Sequence, residues 1–212
     1  MKLHCHYCRS AFSNCYILGT DLPDPAANLP LPPGEAIIID PGEMDVNILK
    51  FIEDNNYTLR GVLITHDHSF HVNGLATIMR IYNTEIFAIN PIIMNHRTTL
   101  LRDEDVVTVG PFRVEVLSVP GHSADSAVFK IDRLLFTGDT LTAGLIGNTI
   151  SSFAAATQAS ALRSKILSLP GDYTILPGQG PPTSLKAECR FNMGIASFEA
   201  QKNRRPVFRL DL

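Results

Sequence analysis

Gly61-Val62-Leu63-Ile64-Thr65-His66-Asp67-His68-Ser69-Phe70-His71-Val72-Asn73-Gly74 changes character abruptly at Thr65. Up to that point it reads as a strand buried on both faces. A polar cluster follows at once, and Asn73 then reads as the cap of a helix running to about Tyr82. His66, His68 and His71 therefore fall on a loop between the end of a strand and the start of a helix, where α/β sheets bind their ligands. Two histidines spaced H-x-H can aim both rings at one metal ion from extended backbone. A catalytic zinc takes three protein ligands and a water, so a further ligand has to come from elsewhere. His122, in Pro120-Gly121-His122-Ser123, and Asp139, in Gly138-Asp139-Thr140, each follow a predicted strand and stand among small residues that let backbone approach a ligand closely. Loop histidines that only cap strand ends are the competing reading, and spacing alone names no reaction.

On either side of this stretch the same style recurs. Residues 3–8 and 14–20 are rich in strand formers, and Leu22 to Gly34 is a proline-dense loop. Ala36-Ile37-Ile38-Ile39-Asp40 is another doubly buried strand, and Met44, Ile48, Phe51 and Ile52 recur at helix spacing over 43–55. Downstream, strands are predicted at 85–89, 106–109, 112–119, 126–131, 133–137 and 174–176, and helices at 155–169 and 184–200. This alternation predicts a single α/β domain over residues 1–212, with a sheet core and helices outside.

The 212 residues are 45% apolar and 18% charged, the proportions of an ordinary globular protein. A net charge of −3 and a pI near 6.1 lack the basic footprint of a nucleic-acid binder, and Arg204-Arg205 reads as part of a tail. No apolar run has the length of a signal peptide or a membrane span. A cytoplasmic protein acting on a small molecule, with no nucleic-acid or membrane partner, is expected. Cys5, Cys8, Cys15 and Cys189 are not spaced as a disulfide framework, which predicts free thiols. Cys5-x-x-Cys8, flanked by His4 and His6, invites a zinc reading. Against it, a first strand would point residues 5 and 8 to opposite faces, and no second such pair completes four ligands.

Several blocks, taken in order, resemble the metallo-β-lactamase superfamily, and more narrowly its single-domain glyoxalase II-like (hydroxyacylglutathione hydrolase-like) members. Asn14-Cys15-Tyr16-Ile17-Leu18-Gly19 is similar to the family's opening strand, and Ile39-Asp40-Pro41-Gly42 to its I-D-P-G turn. Thr65 to Gly74 resembles the T-H-x-H-x-D-H-x-G-G signature, Pro120-Gly121-His122-Ser123 the P-G-H-[ST] block, and Leu135 to Leu141 the L-F-x-G-D-x-L block. Pro177-Gly178-Gln179-Gly180-Pro181-Pro182-Thr183 stands where P-G-H-G-P-x-T belongs.

The resemblance implies a four-layer αββα sandwich with metals at one edge. It implies one metal on His66, His68 and His122. Asp139 would bridge to a second metal held by the signature aspartate, by His71 and by the histidine of P-G-H-G. Two of those second-metal positions are changed, to Phe70 and Gln179. Phenylalanine cannot ligate, and a neutral amide suits zinc poorly beside histidine. His71 and Asp139 alone fall short of three ligands. The expectation is a mononuclear site with one zinc ion (iron or manganese as alternatives) on His66, His68, His122 and Asp139, with His71 beside it. Asp67, three positions before the missing carboxylate, is expected to face outward. In Gly144-Leu145-Ile146-Gly147-Asn148-Thr149-Ile150 the family's usual G-x-x-G-R-x-D has lost both its charges.

The implied activity is hydrolysis of a thioester, ester or lactam carbonyl by a metal-activated water. Asp139 would orient that water or take its proton, and His71 would donate a proton or support Asp139. The runner-up is a catalytically degenerate binding or regulatory protein on the same scaffold. A nucleic-acid-processing role conflicts with the acidic charge balance. The resemblance points to thioesters. The short stretch after Thr183, where two-domain relatives hold the glutathione part, points away from glutathione. Phe70, Leu145 and Ile146 read equally as an apolar cleft wall and as core.

Overall fold

The computed structural model describes residues 1–21 and 33–196. Its layers follow from the doubly buried strands. Alternation along Ile37-Ile38-Ile39 and Val62-Leu63-Ile64 sends Ile38, Val62 and Ile64 to one face and Ile37, Ile39 and Leu63 to the other. Both faces must then be covered.

The first sheet begins with β1 (Lys2–Cys8), β2 (Ser13–Gly19) and β3 (Gly34–Ile39), paired antiparallel. It continues in parallel through β4 (Tyr57–Leu63) and β5 (Glu85–Ala88). After a small ladder, β6 (Ile92–Ile93) with β7 (His96–Arg97), the edge strand β8 (Thr99–Leu100) completes it. The second sheet is built from β9 (Val106–Val109), β10 (Phe112–Ser118), β11 (Ala127–Ile131) and β12 (Leu134–Gly138). Past the pair β13 (Leu141–Thr142) and β14 (Leu145–Ile146) it takes in β15 (Thr174–Pro177), parallel to β12, and β16 (Thr183–Ser184). The sheet order is β16-β15-β12-β11-β10-β9.

Between the sheets pack Tyr16, Leu18, Ile37, Ile39 and Leu63 from one side and Val114, Val116, Phe129, Phe136 and Leu176 from the other. Burying each such side chain contributes about 1.5–3 kcal/mol. The outer face of the first sheet is covered by α1 (Val46–Asp54), α2 (Ser69–Val72) and α3 (Leu75–Ile81) through Ile48, Ile52, Val72, Leu75 and Ile78. The outer face of the second is covered by α4 (Ser152–Ala161) with the π-helical turn Leu162–Ile166, and by α5 (Leu185–Phe191), through Leu162, Ile166 and Leu185. This is the αββα order of layers. Among the described residues no helix is long and apolar enough to cross a membrane.

Three helix boundaries differ from the sequence reading. Asn73 ends α2 rather than capping the next helix, and α3 starts after Gly74. A Cβ on Gly74 would lie 2.5 Å from the Glu43 backbone, so the helix start packs directly on the turn after β3. The helix expected from 155 begins at Ser152, because the Ser151 hydroxyl accepts from Ala154 N–H. The helix expected over 184–200 breaks at Asn192, whose backbone is extended. Leu22 to Pro32 of the proline-dense loop, and everything from residue 197 including Arg204-Arg205, lie outside the described residues. The cysteines are free, with Cys5 exposed and Cys8 buried, as a strand assignment requires.

Candidate metal centre

Strand ends from both sheets meet at one rim. The parallel strands β3 and β4 finish side by side, so Asp40 follows one and Thr65-His66 the other, and Asp40 N–H donates to the Leu63 carbonyl at 3.0 Å. In the second sheet, His122 lies in the β10–β11 connection, Asp139 follows β12 and Gln179 follows β15. The two rims are tied by Ala127 N–H to the Thr65 carbonyl (2.9 Å) and by the Tyr16 hydroxyl to the Pro177 carbonyl (2.6 Å). Gly138 has φ of 50°, and a Cβ there would stand 2.4 Å from Thr65 Oγ1. Only glycine lets the β12 end come this close.

The rim assembles all five residues singled out from sequence. Ligand nitrogens of His66, His68 and His122 lie within 4.8 Å of one another, and so do ligand nitrogens of His66 and His71 and a carboxylate oxygen of Asp139. The His66 ring centroid is 4.5 Å from that of His68 and 5.0 Å from that of His122. His122 Nε2 and His68 Nδ1 are 3.1 Å apart. Asp139 Oδ2 stands 4.0 Å from His66 Nε2, 3.9 Å from His122 Nε2 and 3.3 Å from His71 Nε2.

Hydrogen bonding fixes the tautomers. Thr65 donates its one hydroxyl proton to Asp40 Oδ2 at 2.6 Å, and its N–H to Oδ1 at 2.8 Å. Oγ1 can then only accept from His66 Nδ1, 3.0 Å away, so the lone pair of His66 is on Nε2. The Asn148 carbonyl, which can only accept, does the same for His122 Nδ1 at 2.9 Å. A partner on the far nitrogen is how proteins orient a ligating imidazole. Burial, together with the neighbouring His71, presses the His66 pKa down to about 3. Burial and His122 also lower that of His68. Both rings keep their lone pairs at neutral pH.

His71 is held differently. Its Nδ1 is 3.4 Å from Asp40 Oδ2 and its Nε2 3.3 Å from Asp139 Oδ2. Burial works against its charge, yet the two carboxylates raise its pKa to about 10. In return His71 holds the Asp139 carboxyl below its usual range in spite of burial. His66 Nε2, both His71 nitrogens and Asp139 Oδ1 are buried without a hydrogen-bond partner. His66 Nε2 and Asp139 Oδ1, a nitrogen and an oxygen donor orphaned in one place, fit a divalent transition-metal ion.

Phe70 and Gln179 line a cleft of about 490 Å³ together with His68, His122, Asp139 and Leu145. Phe70 is 47% and Leu145 58% exposed, so both are cleft wall. Ile146 lines the cleft and also packs on the core beneath α4. Asp67 faces outward: it is exposed and accepts from Asn90 Nδ2 at 3.2 Å.

Residues 13–179 match the model of the metallo-β-lactamase superfamily. The chain belongs to that superfamily. It is 32% identical to the hydroxyacylglutathione hydrolase of Hahella chejuensis over 146 residues, which are 67% of this chain and 56% of that one. The chain thus spans a little over half the length of the hydroxyacylglutathione hydrolases it matches. It is 29% identical over 215 residues to the uncharacterized protein Rv2581c of Mycobacterium tuberculosis, covering 84% of this chain and 91% of the other. Among solved structures it is similar to the BLEG-1 B3 metallo-β-lactamase, with a TM-score of 0.77 at 22% identity, covering 92% and 99% of the two chains. ETHE1 from Myxococcus xanthus gives 0.76 at 23%, covering 97% and 93%. These likenesses show the metallo-β-lactamase fold, and the relatives at about 30% identity include hydroxyacylglutathione hydrolases.

Three groups that contact the candidate ligands were not assigned a role from sequence. Asp40 and Thr65 carried a usable signal: a carboxylate and a hydroxyl at the ends of adjacent buried strands need partners. The Asn148 carbonyl carried none, because any residue supplies one.

Proposed function

We propose that this chain is a metal-dependent hydrolase of a thioester or related carbonyl compound, working mainly with one ion on His66, His68 and His122 with Asp139 beside them. The observation that carries the proposal is the fixed tautomer of His66 and His122. Each commits Nδ1 to a neutral acceptor and turns an Nε2 lone pair to the centre. A bound divalent ion would supply Lewis acidity there, polarising a carbonyl and, in the case of zinc, lowering the pKa of a water to about 7.

The chain's own residues do the rest. Asp139 orients the attacking water or takes its proton. His71 is a positioning residue that holds the Asp139 carboxylate from behind while Asp40 holds His71. Phe70 and Leu145 give the substrate an apolar wall, continued past His122 by a groove of about 260 Å³ with Ile150 and Phe153. This lining suits an acyl group better than a phosphate. We read residues 1–212 as one catalytic domain serving a small molecule. With Phe70 and Gln179 at the second metal's positions, one ion is expected.

Metal analysis of protein purified without added metal, with turnover on a thioester panel, tests this. One equivalent at the histidine centre, counted as the metal lost in His66→Ala/His68→Ala/His122→Ala, is expected together with turnover, and that equivalent without turnover on any carbonyl substrate removes the proposal. A second reading, a binding or regulatory protein, is favoured by Phe70 standing where the family signature places a carboxylate. Turnover that appears only in the Phe70→Asp/Gln179→His variant would establish that reading instead.

A further inference from the structure

A second cluster of metal-ligand types lies at the hairpin of β1 and β2. His6, Cys8 and Glu43 each bring a ligand atom within 4.8 Å of the others. Residues 6 and 8 of β1 share a face, and Cys5 points away from it, exposed. Cys8 is fully buried. His6 Nε2 is buried without a hydrogen-bond partner, 3.5 Å from Glu43 Oε1 and 3.6 Å from Asp45 Oδ2. Both carboxylates are already oriented. Glu43 Oε1 accepts from Arg9 N–H at 2.8 Å, and Oε2 accepts from the Ser10 N–H and hydroxyl. Asp45 Oδ1 caps α1 through Ile48 N–H at 2.9 Å.

We infer that His6, Cys8 and Glu43 form a site for one zinc-type divalent ion, separate from the histidine centre, with Asp45, whose Oδ2 lies 3.6 Å from His6 Nε2, as a candidate fourth donor. One sulfur, one imidazole nitrogen and carboxylate oxygens are the ligand types zinc takes at four-coordinate structural sites. Backbone N–H groups already holding Glu43 are the kind of outer partner that fixes a ligating carboxylate. An orphaned buried nitrogen between two carboxylates and a thiol is satisfied by such an ion. The site clamps the end of the β1–β2 hairpin to the turn running from Asp40 to Asp45, which carries the carboxylate behind His71. Its role is structural, since the donors leave no open position beside a cleft.

Cobalt(II) titration of the full chain, purified reduced and stripped with chelator, tests it without reference to turnover. The histidine centre contains no sulfur, so a sulfur-to-cobalt charge-transfer band reports the hairpin site alone. The band is expected to be complete at one equivalent in the His66→Ala/His68→Ala/His122→Ala variant and by two equivalents in the wild type. It should persist in Cys5→Ser and vanish in Cys8→Ser and in His6→Ala, with circular dichroism confirming that these remain folded. No band in the wild type, or a band that survives Cys8→Ser, overturns the inference whatever the histidine centre does.

Discussion

His66 and His71 share one strand-to-helix loop with ring centroids 4.4 Å apart, and both are buried, yet opposite chemistry holds them. The far nitrogen of His66 faces a hydroxyl that can only accept, and burial keeps the ring neutral. Both nitrogens of His71 face carboxylates. The difference divides the centre into a half built to give lone pairs to a cation and a half that balances its own charges. What a histidine offers a metal is set by the partner of its other nitrogen. On this comparison we propose that His71 with Asp40 and Asp139 supports the site, and that His66, His68 and His122 would hold an ion.

The largest expected effect comes from removing a ring of the first half. His68→Ala should release the metal of the histidine centre and lower thioester turnover more than about 100-fold, because outer partners alone cost about 10–100-fold. Elemental analysis and a turnover assay check this, and metal retained at wild-type occupancy there would break the division. Thr65→Val is next. It keeps every ligand but removes the acceptor of His66 Nδ1 and a donor to Asp40. Metal affinity should fall about 10–100-fold, measured by chelator competition. Stability should fall by about 1–3 kcal/mol for the polar groups left unmet, measured by denaturant unfolding. Unchanged affinity would mean that the tautomer of His66 is not set by Thr65.

Why the two halves could be told apart only in part from sequence follows from where the information lies. The layers were legible, since Ile37-Ile38-Ile39 and Val62-Leu63-Ile64 announce strands covered on both faces. That His66, His68, His71, His122 and Asp139 come together at one rim was legible too, because these residues stand at or just past strand ends in a recognisable order. The clasp on His71 was not. It depends on β3 and β4 ending side by side, a contact between residues 40 and 71 that no local pattern encodes. Helix ends failed for a similar reason: Asn73 has the chemistry of a cap, but the backbone of the turn at Pro41 and Glu43 decides where α3 begins. The two-residue ladders β6–β7 and β13–β14 are too short for any periodicity.

Gly178→Ala separates the halves from the other side. A Cβ there would lie 2.4 Å from His71 Cε1 and 2.7 Å from Asp139 Oδ1, and 3.1 Å from the Gly138 carbonyl carbon. His71 is fully buried and cannot swing away cheaply, so overpacking should cost about 1–3 kcal/mol. The three ligand rings are not struck. Metal content of the histidine centre should stay near the wild-type level while turnover drops about 10-fold, in line with lost general acid–base help. If metal and turnover fell together, His71 and Asp139 would belong to the ion-holding half.

The smallest effect is expected at Asp67, and it bears on whether the second half has been rebuilt by other means. Asp67 is the one carboxylate inside the histidine cluster of the signature, and a chain lacking the aspartate at position 70 could in principle recruit it. Its surroundings argue otherwise. The side chain is exposed and accepts from Asn90, while its own N–H donates to Asp125 Oδ2 at 2.9 Å. Burial and the nearby Asp125 raise its pKa. Asp67→Asn retains the shape and the acceptor oxygen, so stability should move within about 0.5 kcal/mol, with metal content and turnover within about 2-fold of wild type. A loss of metal on this substitution alone would place a carboxylate ligand on the outer side of the loop. The division between a ligand half and a self-balanced half would then have to be redrawn around Asp67.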